Sequence, residues 1–210
     1  MSANVSDEVL GRMIDIAFAV EGDALPRDHR CELAAAIGDV LPGWAKQDGA
    51  GVHRLNGAAG GGPLALLSHR TRLTLRVPRE RAAEAAALAG ASLQVGPALL
   101  RVGAPQPREL RPYSTLYAHL VAAADTAGEA DEVAFLDAVA AELSALGVAC
   151  RPICGRRQVV EGGALQGFSL MLDGLGAAGA LRVLEAGIGR HRRWGCGLFV
   201  PHKSAVAVGT

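Results

Sequence analysis

Apolar residues fall along the chain in two spacings: short runs of the length of a strand, and four longer stretches with helical periodicity, separated by Gly and Pro. Met13–Val20 reads as a buried first strand, broken by Gly22, Asp23 and Pro26. Asp28 is placed to cap a helix with Leu33, Ile37, Val40 and Leu41 on one face, which Pro42 and Gly43 end. Gly51–Leu55 predicts a short strand, Gly57–Pro63 a glycine-rich connection, and Leu64–Leu67 and Thr71–Val77 two strand segments. Alanine and charge content predict a helix over Arg79–Ala89, and Ser92–Val102 reads as a strand pair or one bent strand.

The proline-punctuated stretch around Pro105, Pro107 and Pro112 reads as a linker. Beyond it the order repeats: a strand over Thr115–Ala122, then a helix over Glu132–Leu146 with Val133, Leu136, Val139, Ala140 and Leu143 inward. Strands over Val148–Ile153 and Gly167–Leu172, a helix over Ala177–Ala186 and a closing strand over Cys196–Val200 complete it. The pattern predicts an α+β protein of two tandem ferredoxin-like (RRM-like, β-α-β-β-α-β) domains, over 1–104 and 113–210.

Charge changes this picture little. The 21 Lys and Arg balance 21 Asp and Glu, so a polyanion partner would have to be held by local concentrations of arginine, at 70–81, 101–111 and 190–193. The cysteines (Cys31, Cys150, Cys154, Cys196) contain no CxxC pair and read as reduced thiols. No cofactor or metal site is expected, because no cluster of carboxylate, His or Cys has ligand spacing. With no membrane-spanning apolar run or leader pattern, a cytoplasmic protein is expected.

Candidate chemistry concentrates near the C-terminus, where Gly187, Gly189, Gly195 and Gly197 bracket Arg190, His191, Arg192 and Arg193. Glycine lets backbone amides approach a ligand closely, and guanidinium donates planar, charge-assisted hydrogen bonds to phosphate. The spacing does not fit a dinucleotide fingerprint, and the loop leaves a helix and enters a strand rather than the reverse. Alternation along the strand after residue 70 places Arg70, Arg72 and Arg76 on one face, opposite Leu73, Leu75 and Val77, where they suit a phosphate backbone; a solvated sheet face is the competing reading.

This loop, in this position, resembles the glycine-rich loop of the RAMP superfamily of CRISPR-associated RNA-binding proteins, specifically their repeat-cleaving endoribonucleases. The segment His29-Arg30-Cys31-Glu32-Leu33 resembles the helix on which several members carry a catalytic histidine. The resemblance implies metal-independent cleavage of CRISPR repeat RNA: the ribose 2′-hydroxyl attacks the adjacent phosphate, giving a 2′,3′-cyclic phosphate and a 5′-hydroxyl. Precursor transcript and mature crRNA are the implied partners, together with other CRISPR-associated proteins of an interference complex. A non-catalytic crRNA-binding subunit is the alternative. His29 is the favoured proton-transfer residue, with His53 in Gly51-Val52-His53-Arg54 the second candidate; a packing role would equally account for His29. Arg27, Arg30 and Lys46 are candidates for stabilising the charged phosphorane.

Overall fold

The computed structural model describes residues 11–44, 49–59, 62–123 and 131–203. The first half forms β1 (Met13–Glu21), β2 (Ala24–Pro26), α1 (Arg30–Val40), β3 (Gly51–Val52), β4 (Ala58–Ala59), β5 (Leu64–Leu66), β6 (Arg72–Pro78), α2 (Ala82–Ala86), β7 (Ser92–Val95) and β8 (Ala98–Glu109). The second half forms β9 (Thr115–Ala122), α3 (Glu132–Ala145), β10 (Arg151–Val160), β11 (Leu165–Asp173), α4 (Ala177–Ala186) and β12 (Val200–Pro201). No helix among these residues is long and apolar enough to cross a membrane.

The fold is mixed α+β with two main antiparallel sheets, ordered β3-β6-β1-β8-β7 and β10-β11-β9-β12. The hairpin strand β7 aside, the two orders match, each with its first long strand between the third and the last. Apolar alternation gives each sheet one core face. Ile14, Ile16, Phe18, Leu73, Leu75 and Val77 pack on Leu33 and Ile37 of α1. In the second half Leu116, Ala118, Leu170 and Leu172 pack on Phe135, Val139, Val183 and Leu184.

Several elements differ from expectation for identifiable reasons. Pro105 and Pro107 do not sit in a linker but in β8, whose pairing with β1 runs to Glu109. They lie beyond the reach of β7, so their missing N–H groups face an unpaired edge. On α3 the buried stripe is Phe135, Val139 and Leu143, while Val133 is 67% exposed; Asp131 accepts from Ala134 N–H and so fixes where the helix starts and which residues face inward. The helix expected over 79–89 opens as a 3-10 turn and closes with i→i−3 bonds, leaving α-geometry over Ala82–Ala86 alone. β5 joins β2 and β4 in a small separate sheet. The closing strand is limited to Val200–Pro201, since Gly197 at φ +64 turns the chain out of the ladder after one bond to Leu120 O.

The face of the first sheet turned away from its helices carries Asp15, Ala17 and Ala19 of β1. These lie beside Arg76, Thr74 and Arg72 of β6, and beside Arg108 and Gln106 of β8. That face borders the site.

Candidate functional site

A cleft of about 460 Å³ opens on this face, with Arg54, Arg70, Arg72 and Arg108 in its walls beside His53 and Asp15, and Val200 of β12 at its rim. Arg72 is steadied by His69 O and Thr71 O at 2.7 and 2.8 Å. The backbone of His53 continues β3 by donating to Thr74 O at 2.9 Å, which turns its ring to the same face. The side chain is 15% exposed, with Nε2 3.7 Å from Asp15 Oδ1. Burial, aided by the guanidiniums of Arg76 and Arg192, outweighs the attraction of Asp15 and keeps the His53 pKa below its ordinary value. Burial alone would raise the Asp15 pKa, but His53 and the doubly bonded Arg76 hold the carboxyl well below the usual range.

Arg76 does not belong to the exposed arginines. Only 1% of it is accessible. Nε and NH2 bind Asp15 Oδ1 and Oδ2 at 2.8 and 2.9 Å, and NH1 donates to Leu184 O and Phe199 O at 3.0 Å each. Strand alternation placed it on the correct face, but the end of α4 covers that face at this point. Each of its three guanidinium nitrogens donates to a protein acceptor, so Arg76 is engaged within the fold and buried away from the cleft arginines.

Arg192 is also turned inward, although only its NH1 finds acceptors, while Nε and NH2 are buried without a hydrogen-bond partner among the described residues. Its NH1 reaches Glu185 O at 2.9 Å and also bonds Ala186 O, so it caps the carbonyls at the end of α4, a helix with no basic residue in its last turn. Burial and the neighbouring Arg76 push its pKa down to about 10.

His29, the favoured proton-transfer candidate, does not line the cleft and is engaged on both ring nitrogens. The residue is 1% exposed, its Nδ1–H donates to Pro26 O at 2.7 Å, and its Nε2 accepts from Leu55 N–H at 3.3 Å. Both nitrogens of the neutral imidazole thus have protein partners. Burial, against the pull of Pro26 O and helped by Arg54 and Arg30, lowers its pKa and keeps it neutral. What it does is pin Leu55, the residue after His53 and Arg54. Asp28 does not cap α1; its Oδ2 accepts instead from Glu161 and Gly162 N–H, and Glu161 Oε1 takes Arg30 N–H at 2.6 Å.

The glycine–arginine loop joins α4 to β12. Gly187, Gly189, Gly195 and Gly197 all have positive φ. Gly187 and Gly197 are buried against each other: a Cβ on Gly187 would lie 2.6 Å from Gly197 O. One on Gly195 would lie 2.7 Å from Arg30 NH1 and 2.8 Å from Val52 O. The glycines thus let the loop close on itself and dock on α1 and β3. Gly189 N–H donates to Glu142 Oε2 at 2.8 Å. Arg190 and Arg193 are exposed, and His191, at φ +62, lies flat on Trp194 with centroids 4.8 Å apart.

The loop docking brings in His119. Arg30 NH1 donates to Trp194 O and Gly195 O at 2.9 Å each, and its NH2 lies 3.3 Å from His119 Nδ1. Arg54 NH1 is 2.8 Å from His119 Nε2. Burial first, and then Arg54 and Arg30, push the His119 pKa down to about 4. Alternation along β9 puts Tyr117 and His119 on the non-core face, but no local signal links them to Arg30 or Arg54, which arrive from the other sheet. Lys46 lies outside the described residues, and among those described no group of His, Cys, Asp and Glu gathers that could hold a metal.

A family model described as "Cas6: Cas6 Crispr" matches residues 14–204. The "CRISPR-associated endonuclease Cas6" of Myxococcus xanthus (strain DK1622) is 37% identical over 197 residues, covering 93% of this chain and 84% of that protein. Among solved structures, "An RAMP protein binding different RNA substrates" superposes with a TM-score of 0.66 at 12% identity, over 90% of this chain and 100% of that one. "CRISPR associated protein Cas6" does so with a TM-score of 0.65 at 12% identity, over 91% and 100%. At such identity the two structures speak to the fold alone.

Proposed function

The chain belongs to the Cas6 family of CRISPR-associated repeat-processing endonucleases, and from that membership we propose that it cuts CRISPR repeat RNA in precursor transcripts to release mature crRNA. The observation that carries the proposal at this chain's own residues is the arginine-lined cleft with His53 set against Asp15. Arg54, Arg70, Arg72 and Arg108 hold the sugar-phosphate chain, with Arg190, His191 and Arg193 of the loop extending the track. Asp15 favours the His53 tautomer with its proton on Nε2, leaving the Nδ1 lone pair as base. That base takes the 2′-hydroxyl proton as the oxygen attacks the adjacent phosphorus, giving a 2′,3′-cyclic phosphate and a 5′-hydroxyl without a metal ion. Charge on the phosphorane is met by Arg54.

The shared strand order supports two tandem ferredoxin-like units, with the junction moved from 104 to the end of β8 at Glu109 and the second unit beginning near 113. The mature crRNA stays on the protein, which acts in the cytoplasm and joins other CRISPR-associated proteins in an interference complex.

The test is cleavage of a labelled repeat hairpin in excess EDTA. Wild type is expected to cut and His53→Ala to lose about 10²–10⁴-fold in rate while still shifting the RNA. Undiminished cleavage by His53→Ala would remove His53 from the mechanism. Binding by wild type without cleavage, with or without added divalent metal, would make the chain a crRNA-binding subunit instead.

A further inference from the structure

His119 has a guanidinium at each ring nitrogen, Arg54 at 2.8 Å and Arg30 at 3.3 Å. Guanidinium only donates, and a neutral imidazole has a single lone pair, so one of these contacts sets N–H against N–H. The shorter one is the hydrogen bond, which puts the lone pair on Nε2 and leaves Nδ1–H facing Arg30. Neither arginine side chain has a carboxylate within ion-pair distance among the described residues. The charged groups facing the ring are Arg30 from α1 and Arg54 from the segment after β3, with Cys196, Glu161 and Asp28 acting in turn on Arg30. Gln158 of β10 occupies the His119 carbonyl, which fixes the strand beneath the ring. Two cations converge on one half-buried imidazole with no anion between them, and one of the two lines the cleft.

The geometry points to His119 as a second catalytic imidazole, the proton donor to the leaving 5′-oxygen. This rests on the endoribonuclease reading above. A phosphate entering the cleft draws the Arg54 guanidinium from Nε2, and the vacated nitrogen, now beside an anion instead of a cation, takes up a proton. In the reaction the 2′-oxygen–phosphorus bond forms and the phosphorus–5′-oxygen bond breaks. His53 gains the 2′-hydroxyl proton, His119 Nε2–H gives its proton to the 5′-oxygen, and exchange with water restores both.

The experiment uses two repeat RNAs that differ only at the mapped scissile linkage, one with the natural 5′-oxygen and one with a bridging 5′-sulfur that leaves as thiolate without protonation. His119→Asn keeps an acceptor for Arg54 but has no acidic proton. It is expected to slow the oxygen substrate by about 10²–10⁴-fold and the sulfur substrate by less than about tenfold, whereas His53→Ala slows both. Full-rate cleavage of the oxygen substrate by His119→Asn, or equal loss on both substrates, overturns the assignment. Wild type supplies an independent reading: its rate on oxygen RNA is expected to fall at high pH as the donor deprotonates, and on sulfur RNA not to. The same high-pH fall on both substrates overturns it as well. Wild type that cuts neither RNA defeats the endoribonuclease reading itself.

Discussion

Replacing Arg76 with Met removes a guanidinium while keeping an apolar stem of similar length. Four hydrogen bonds go with it: two to Asp15 from one guanidinium edge, and one each to Leu184 O and Phe199 O. Removing one partner of a buried ion pair costs about 3–5 kcal/mol, since the other charge stays desolvated. Here Asp15 is 17% exposed and keeps His53 beside it, so the lower part of that range, about 3 kcal/mol, is expected. Urea denaturation at pH 7 measures it. The pH dependence carries a sign of its own. With Arg76 present the Asp15 pKa is depressed, so its stabilising share is full above the ordinary carboxylate pKa and is lost as pH falls from there through the depressed one. Without Arg76 burial raises that pKa, and protonation on acidification relieves the strain of the buried charge. The gap between wild type and Arg76→Met is therefore expected to narrow from pH 7 to pH 4, and Asp15→Asn combined with Arg76→Met to be more stable at pH 7 than Arg76→Met alone. A loss below about 1 kcal/mol with weakened RNA binding at unchanged stability would refute this reasoning and return Arg76 to the exposed arginines.

Two further outcomes follow from the same geometry. Arg54→Ala, Arg72→Ala and Arg108→Ala are each expected to lower the slope of log affinity against log salt by about 0.7 for single-stranded repeat RNA, while Arg76→Met leaves it unchanged; equal slopes throughout would place the RNA elsewhere. His29, His53 and His119 all have folded-state pKa values below the ordinary 6.5, so the unfolded chain binds more protons and stability is full above about pH 6.5 and declines as pH falls. His119, lowered to about 4, accounts for about 2 kcal/mol of that decline by pH 5, and His119→Asn is expected to flatten it in urea titrations; an unchanged slope would contradict the half-buried neutral ring.

The core was legible wherever one face of an element was decided by local alternation. Leu73, Leu75 and Val77 point inward as their spacing predicts, and Arg72 and Thr74 line the opposite face. It was not legible where a distant element covers that face. Arg76 shares its spacing with Arg72, yet the carbonyls that bury it belong to residues more than a hundred positions away. For His29, helical spacing identified the inward-facing side, but the backbone N–H that occupies its second nitrogen comes from Leu55, in the segment after β3 that also carries His53. His119 had no local signal, because two guanidiniums from the other sheet give it meaning. Phe135 was displaced from the α3 stripe because the periodicity was counted from Val133, which is 67% exposed, although the helix starts at Glu132 as expected.

The balance of 21 basic against 21 acidic residues is reconciled with a polyanion partner by where the charges sit. Arg79, Arg81 and Arg151 are neutralised by Glu109, Glu84 and Asp173, and Arg76 by Asp15. Arg192 is turned onto helix carbonyls and Arg30 onto the loop backbone. The cleft walls instead hold four guanidiniums against the single Asp15 carboxylate, which Arg76 already engages. At physiological ionic strength screening acts over about 8 Å, so a phosphate chain in the cleft responds to those four charges and scarcely to the acids on the far surfaces. Net charge is therefore a poor guide to this chain's partners. Its electrostatics are decided by which arginines the fold uses up internally and which it leaves around His53.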